Sequence, residues 1–202
     1  MQKLSLDDQK THESVLAALK SGGIVIIPTD TVYGIACDAF LPASVEKLFE
    51  IKRRDPNKTI AWLCADLEMA KRHARIAPEI EHGLERLWPG ALTAVLPALG
   101  AEASIGLRVP RYPWLTDLIR AFGRPIAVTS ANISGEASQS SIAQLLKDFG
   151  EGASIECIVD AGDLPAEAPS TVVDFVQKPY RVLRDGPVSR RDLEEAFGPV
   201  RN

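Results

Sequence analysis

Apolar residues recur along this chain with two alternating periods. Val15, Leu16 and Leu19 mark one helical stripe, Val45, Leu48 and Phe49 a second, and Ile80, Leu84 and Leu87 a third that Pro89 ends. Leu115, Leu118, Ile119 and Phe122 repeat at i, i+3, i+4, i+7 before Gly123, and Ile142, Leu145, Leu146 and Phe149 do so before Gly150. Both are amphipathic helices with a glycine stop. A last short helix starts at Ser189, with Asp192 three residues on as its capping partner, and ends at Gly198. Between these lie short apolar runs that read as strands, at 24–27, 60–64, 92–96, 106–109, 126–129, 155–159, 171–176 and 181–183. The runs at 92–96 and 171–176 lack the strict alternation of a half-exposed strand, so the sheet is expected to be covered by helices. The pattern predicts an α/β fold, a large twisted mixed sheet flanked by helices.

Composition sharpens this picture. The chain has 202 residues, 46% hydrophobic and 25% charged, enough for a substantial core and expected to form one domain over 1–202. A net charge of −4 argues against a surface basic all over, so a polyanion must be met by a local cluster of Lys and Arg. Cys37, Cys64 and Cys157 are far apart without C-x-x-C spacing, which suits small, reduced core residues rather than a disulfide framework or zinc site. His12, His73 and His82 lie in no metal-binding pattern and read as surface or helix-flank residues. The polar start, with Asp7 and Asp8, resembles neither a signal nor a transit peptide, and no apolar run is long enough to span a bilayer. The expected location is the cytoplasm. The stretch 150–169, rich in Gly, Ala, Pro and acidic residues around one short strand, is expected to be the softest and could form a flap.

Four polar signatures stand beside strand-like runs. They are Pro28-Thr29-Asp30-Thr31-Val32-Tyr33-Gly34, Lys52-Arg53-Arg54, Ser130-Ala131-Asn132 and Pro169-Ser170-Thr171. Each has an ordinary explanation: a turn, a solvated helix end, an Asx or Ser turn, a loop. Together they supply hydroxyls, an amide and fixed cations at the ends of buried strands, where an α/β sheet holds a phosphorylated ligand. Arg108 and Arg184, beside strand-like segments, are the candidates to join Lys52, Arg54 and Lys58, since guanidinium binds carboxylate or phosphate bidentately. Neither a P-loop nor a Rossmann G-x-G-x-x-G nor a G-x-S-x-G elbow is present. No acid cluster forms a metal cage, so any Mg²⁺ would be held mainly by substrate phosphates.

These residues, with Gly22-Gly23, Trp88-Pro89-Gly90-Ala91-Leu92-Thr93, Gly106-Leu107-Arg108-Val109-Pro110 and Leu183-Arg184-Asp185-Gly186, closely resemble the YrdC-like family of threonylcarbamoyl-AMP synthases. The resemblance covers nearly the whole chain. It implies a twisted α/β sheet with a concave basic face, and the conversion of L-threonine, bicarbonate or CO₂ and ATP to L-threonylcarbamoyladenylate and pyrophosphate. That reaction begins N6-threonylcarbamoyladenosine modification of tRNA. By matching position, Lys52, Arg54, Lys58, Ser130, Asn132, Ser138 and Arg184 would bind ATP, with Lys52 and Arg54 catalytic, while Thr31, Arg108 and Ser170 would bind threonine. The resemblance further implies tRNA and threonylcarbamoyl-transferring proteins as partners. Two positions depart from the family's pattern: Trp62-Leu63-Cys64 stands where many relatives have a histidine, and Asp55 separates Arg54 from Pro56. Two other readings remain: an RNA-binding module without adenylylation activity, and a carbamoyl transferase subunit. The second would be expected to carry an acylphosphatase segment or zinc-finger cysteines.

Overall fold

A computed structural model describes residues 1–55, 58–101, 103–135, 139–150, 154–165 and 168–201. Among the described residues eleven strands form one sheet: β1 (Gln2–Ser5), β2 (Val25–Ile27), β3 (Gly34–Asp38), β4 (Ala61–Leu63), β5 (Leu92–Pro97), β6 (Ser104–Arg108), β7 (Ile126–Ser130), β8 (Cys157–Asp160), β9 (Thr171–Asp174), β10 (Tyr180–Arg184) and β11 (Val200–Arg201). Their order is β1-β8-β2-β3-β7-β4-β6-β5-β9-β10-β11. Parallel pairs such as β4 with β6 and antiparallel ones such as β3 with β7 both occur, so the expected mixed sheet is present. Helices α1 (Thr11–Lys20), α2 (Pro42–Ile51), α3 (Leu67–Lys71), α4 (Pro78–Leu87), α5 (Pro113–Phe122), α6 (Ile142–Phe149) and α7 (Arg190–Phe197) lie between the strands in sequence.

Local chemistry explains where the helices begin and end. Pro starts α2, α4 and α5, where its missing N–H costs nothing. Gly123, at φ 84°, closes α5 in the left-handed conformation and donates its N–H to Ile119 and Arg120. The Ser189–Asp192 capping box predicted for the last helix is present at α7.

Because neighbouring residues of a strand face opposite ways, β2 serves two cores at once. Val25 and Ile27 join the larger cluster, with Val15 and Leu19 of α1, Leu84 of α4, Leu118 of α5 and Leu193 of α7. Ile24 and Ile26 join the smaller one, under Leu48 of α2 and Leu145 and Phe149 of α6. One row of paired residues crosses the sheet centre: Ala36 faces Val128, Val128 faces Ala61, Ala61 faces Gly106 and Gly106 faces Val95. Ala36 is fully buried, but from Val128 onward the row lines an open cavity.

Several elements differ from the sequence expectation. β1, β3, β11 and α3 were not predicted, and β8 runs over Cys157–Asp160 rather than 155–159. β3 follows a motif read as a turn, and its five residues are all buried, so it shows no polar alternation. The 150–169 stretch holds β8, which lies between β1 and β2, and Ala161 and Gly162 are tied by hydrogen bonds to Tyr33. The remainder of the flap expectation falls partly on 151–153 and 166–167, outside the described residues. His82 is exposed as expected, but His12 packs edge-on to Trp114, and His73 contacts Phe40 and Trp62. The three cysteines are buried and unpaired, and burial pushes Cys37 and Cys64 up to about 12 and Cys157 up to about 11. No helix among the described residues is long and apolar enough to cross a membrane.

Candidate functional site

The cavity, about 260 Å³, opens where β7, β4, β6, β5 and β9 present small side chains. Ala61 and Gly106 make its floor nearly flat, and hydroxyls and cations rise around it: Thr29, Thr31, Thr59, Thr93, Ser130 and Ser170, with Arg54, Arg108 and Arg184. Among the described residues no Asp, Glu or His lines it. Three guanidiniums around a space this small favour an anionic ligand.

Arg108 ends β6 with 5% of its surface exposed. Three contacts hold it: Nε donates to the Gly90 carbonyl at 3.0 Å, Nη1 to Thr31 Oγ1 at 3.2 Å and Nη2 to Asp30 Oδ1 at 2.6 Å. Of five guanidinium N–H groups, one on each terminal nitrogen is left, a pair suited to a carboxylate. Thr31 belongs to a directed chain. Thr29 Oγ1 gives its proton to the Val32 carbonyl at 2.7 Å, so across the 3.1 Å contact Thr31 is the hydroxyl that donates to Thr29. Thr31 can then accept from a ligand N–H beside Arg108.

On the facing wall, parallel pairing of β5 with β9 sets Thr93 opposite Val172 and brings Thr93 Oγ1 to 2.8 Å from Ser170 Oγ. Arg184 ends β10 at the rim, donating from Nε to the Ser170 carbonyl at 3.0 Å and from Nη2 to Ser170 Oγ at 3.1 Å. Burial first, then the nearby Arg108 and Arg54, lowers its pKa, as expected of a half-buried guanidinium with other cations close by.

The basic motif divides its duties. After α2, Arg53 adopts φ 49°, and this left-handed turn sends Lys52 inward and Arg54 toward the cavity. Lys52, 1% exposed, donates to the Ser130 carbonyl and lies 3.4 Å from Thr129 Oγ1 and 3.3 Å from Asn132 Oδ1. Its own carbonyl accepts from the Ser134 N–H at 3.0 Å, so one residue clasps the 130–134 loop from both sides. Burial, aided by Arg54, pulls the ammonium down to about 8. Arg54 donates from Nη2 to the Thr59 carbonyl at 3.0 Å, its Nε is buried without a protein acceptor, and burial lowers its pKa.

Thus Thr31, Arg54, Arg108, Ser130, Ser170 and Arg184 line one cavity. Lys52 and Asn132 form its backing, with Ser130 Oγ donating to Asn132 Oδ1 at 2.6 Å. Lys58 is exposed and lines no wall of the cavity, and Ser138 lies outside the described residues. Sequence reasoning missed the roles of Thr93 and Asp30 as partners of Ser170 and Arg108. Only the register of β5 with β9, and the fold that brings residue 30 to residue 108, pairs them. Among the described residues no group of three His, Cys, Asp or Glu could hold a metal.

Comparison with known proteins places this site in context. The Sua5/yciO/yrdC family model, described as "Telomere recombination", matches residues 17–186. A Pyrococcus abyssi protein named threonylcarbamoyl-AMP synthase is 34% identical over 192 residues, covering 91% of this chain and 56% of its own length. A Bacillus subtilis protein of the same name is 33% identical, covering 98% and 59%. The chain thus spans a little over half the length of these two relatives. The crystal structure of P. abyssi Sua5 complexed with L-threonine has a TM-score of 0.90 at 31% identity, covering 99% of this chain and 61% of that one. The match over most of its length shows that the chain belongs to the Sua5/yciO/yrdC family.

Proposed function

We propose that this protein makes L-threonylcarbamoyladenylate from L-threonine, bicarbonate or CO₂, and ATP, releasing pyrophosphate. The observation that carries the reading is the meeting of Arg108, Thr31 and Ser170 with Arg54 and Arg184 around one small cavity. The relatives' names and the threonine complex of P. abyssi Sua5 support it.

In this reading the threonine carboxylate lies on the two remaining N–H groups of Arg108, and its nitrogen faces Thr31. The amine adds to CO₂ and loses a proton, giving an N-carboxythreonine carbamate. A carbamate oxygen then attacks the α-phosphorus of ATP in line, the P–O bond to the β-phosphate breaks, and pyrophosphate departs. No carboxylate or imidazole among the described residues lines the cavity, and the proton passes to bicarbonate, phosphate or water. Arg54 and Arg184 stabilise charge on the phosphate oxygens. Lys52, Ser130 and Asn132 shape and charge the loop beneath them, and Lys58 and Ser138 complete the nucleotide contacts that the family resemblance implies. Mg²⁺ enters on the ATP phosphates as part of the substrate. The carbamate is short-lived in water, so a partly enclosed site is what its chemistry requires. The product is then consumed by proteins that carry the threonylcarbamoyl group to tRNA in the cytoplasm.

The test is pyrophosphate release by purified protein with MgATP and bicarbonate, with and without L-threonine, the adenylate being identified by mass spectrometry. Threonine-dependent release is expected, and Lys52→Ala or Arg54→Ala should reduce it at least a hundredfold with the fold intact. ATP binding without adenylate, or near-normal turnover in both variants, refutes the reading.

A further inference from the structure

Asp30 stands between two residues that line the cavity, Thr29 and Thr31, but is not itself part of the lining. Its Oδ1 accepts from Arg108 Nη2 at 2.6 Å, and its Oδ2 accepts the backbone N–H of Arg111 at 2.9 Å. Both side chains of the ion pair are nearly buried, 11% exposed for Asp30 and 6% for Arg108. Arg111 is anchored in turn through Nε to the Pro89 carbonyl at 3.0 Å, next to the Gly90 carbonyl that receives Arg108 Nε. The carboxylate therefore closes a ring that runs from Arg108 through Gly90, Pro89 and Arg111 back to itself. Within this ring, and with Thr31 on Nη1, the guanidinium plane is fixed from three sides, and Arg108 lines the cavity with one N–H left over on each terminal nitrogen.

From this geometry we infer that Asp30 is a positioning residue for substrate-carboxylate recognition. It acts only through Arg108, setting the direction in which that guanidinium presents its two remaining donors. Arg54 and Arg184 have no bond to Asp30, so its influence belongs to the amino-acid half of the site and not to the nucleotide half. The inference rests on the threonine reading above and adds to it a residue that touches no substrate.

The physical consequence is a selective defect. Replacing the carboxylate by an amide removes the charge that orients Arg108 and turns one acceptor into a donor facing another donor, so the guanidinium swings from its place. For Asp30→Asn the threonine KM should rise about ten- to a hundredfold, the range for losing a charge-assisted hydrogen bond in a desolvated site. The KM for ATP should change less than about twofold.

Steady-state pyrophosphate release with each substrate varied in turn, beside direct threonine binding by calorimetry, tests this. A threonine-selective rise in D30N supports the inference, and an unchanged threonine KM overturns it. Parallel rises for both substrates, with a lowered Tm, also overturn it, since a merely structural role predicts that pattern. Should D30N fail to fold, Asp30→Glu takes its place. It keeps the charge but pushes Arg108 out by one methylene, so a smaller rise, still confined to threonine, supports the inference, and wild-type values overturn it. A wild-type protein that binds no threonine defeats the functional reading itself, whereas wild-type binding with equal binding by D30N defeats only the role of Asp30.

Discussion

Lys52 shows how a residue's surroundings, more than its type, set what it can do. The sequence presents it as one cation of a basic run, which is usually a solvated helix end. The fold buries it, surrounds it with three oxygens and brings it down to about 8, a value no linear pattern discloses. Charge on this group is present below about pH 8 and is lost above it. Affinity for ATP, measured by direct binding without threonine, should therefore weaken as pH rises from 7 to 9.5. Affinity that stays constant across that range would remove Lys52 from the nucleotide site. Thr31, Arg108, Ser170 and Arg184 were legible as candidates because hydroxyls and arginines beside apolar runs are conspicuous. Asp30 and Thr93 were not, because each acts on a partner 77 or 78 positions away.

At the scale of the element, β3 carries the lesson. Gly34-Ile35-Ala36-Cys37-Asp38 is buried on both sides and paired to β2 and β7, so it lacks the period-two alternation that marks a strand. α5 and α6 were legible because one side of each faces water, and the α7 capping box could be read from Ser189 and Asp192 alone. The cavity wall depends on the close approach of β3 to β7. A methyl group added at Gly34 would stand 2.7 Å from Val128 Cγ1, and Val128 lines the cavity. Gly34→Ala should thus cost about 1 to 3 kcal/mol by overpacking and also weaken ligand binding. Urea unfolding and threonine calorimetry measure the two effects, and a variant unchanged in both would show that the strands part at no cost.

The whole molecule reconciles an acidic chain with a cationic cavity. A net charge of −4 says nothing about where charges meet, and the sheet brings Arg54, Arg108 and Arg184 together from three separate segments. The fold class was legible because alternating helix and strand patterns leave few arrangements, whereas strand order was not, since register depends on contacts between distant segments. Buried acids make the folded state sensitive to alkali. Cys37 and Cys64 hold their protons to about 12 and Cys157 to about 11, against an ordinary 9, and Tyr33 to about 12 against 10. Above pH 9 the unfolded chain releases these protons and the folded one retains them, so stability falls with rising pH. Lys52 acts in the opposite sense between about 8 and 10.5, but it is one group against four. Urea titrations at pH 8 and pH 10 should show a lower midpoint at pH 10, and an equal or higher midpoint would contradict the balance.

The floor of Ala61 and Gly106 has a consequence for inhibition. A flat inhibitor lying on it would rest on positions with almost no side chain to trim. Mutation of Gly106 can only add bulk, and a Cβ there would stand 3.5 Å from Cγ2 of Thr93, which lines the same cavity. Resistance by adding bulk at Gly106 would narrow the cavity itself, so under the proposed function escape and activity would be set against each other.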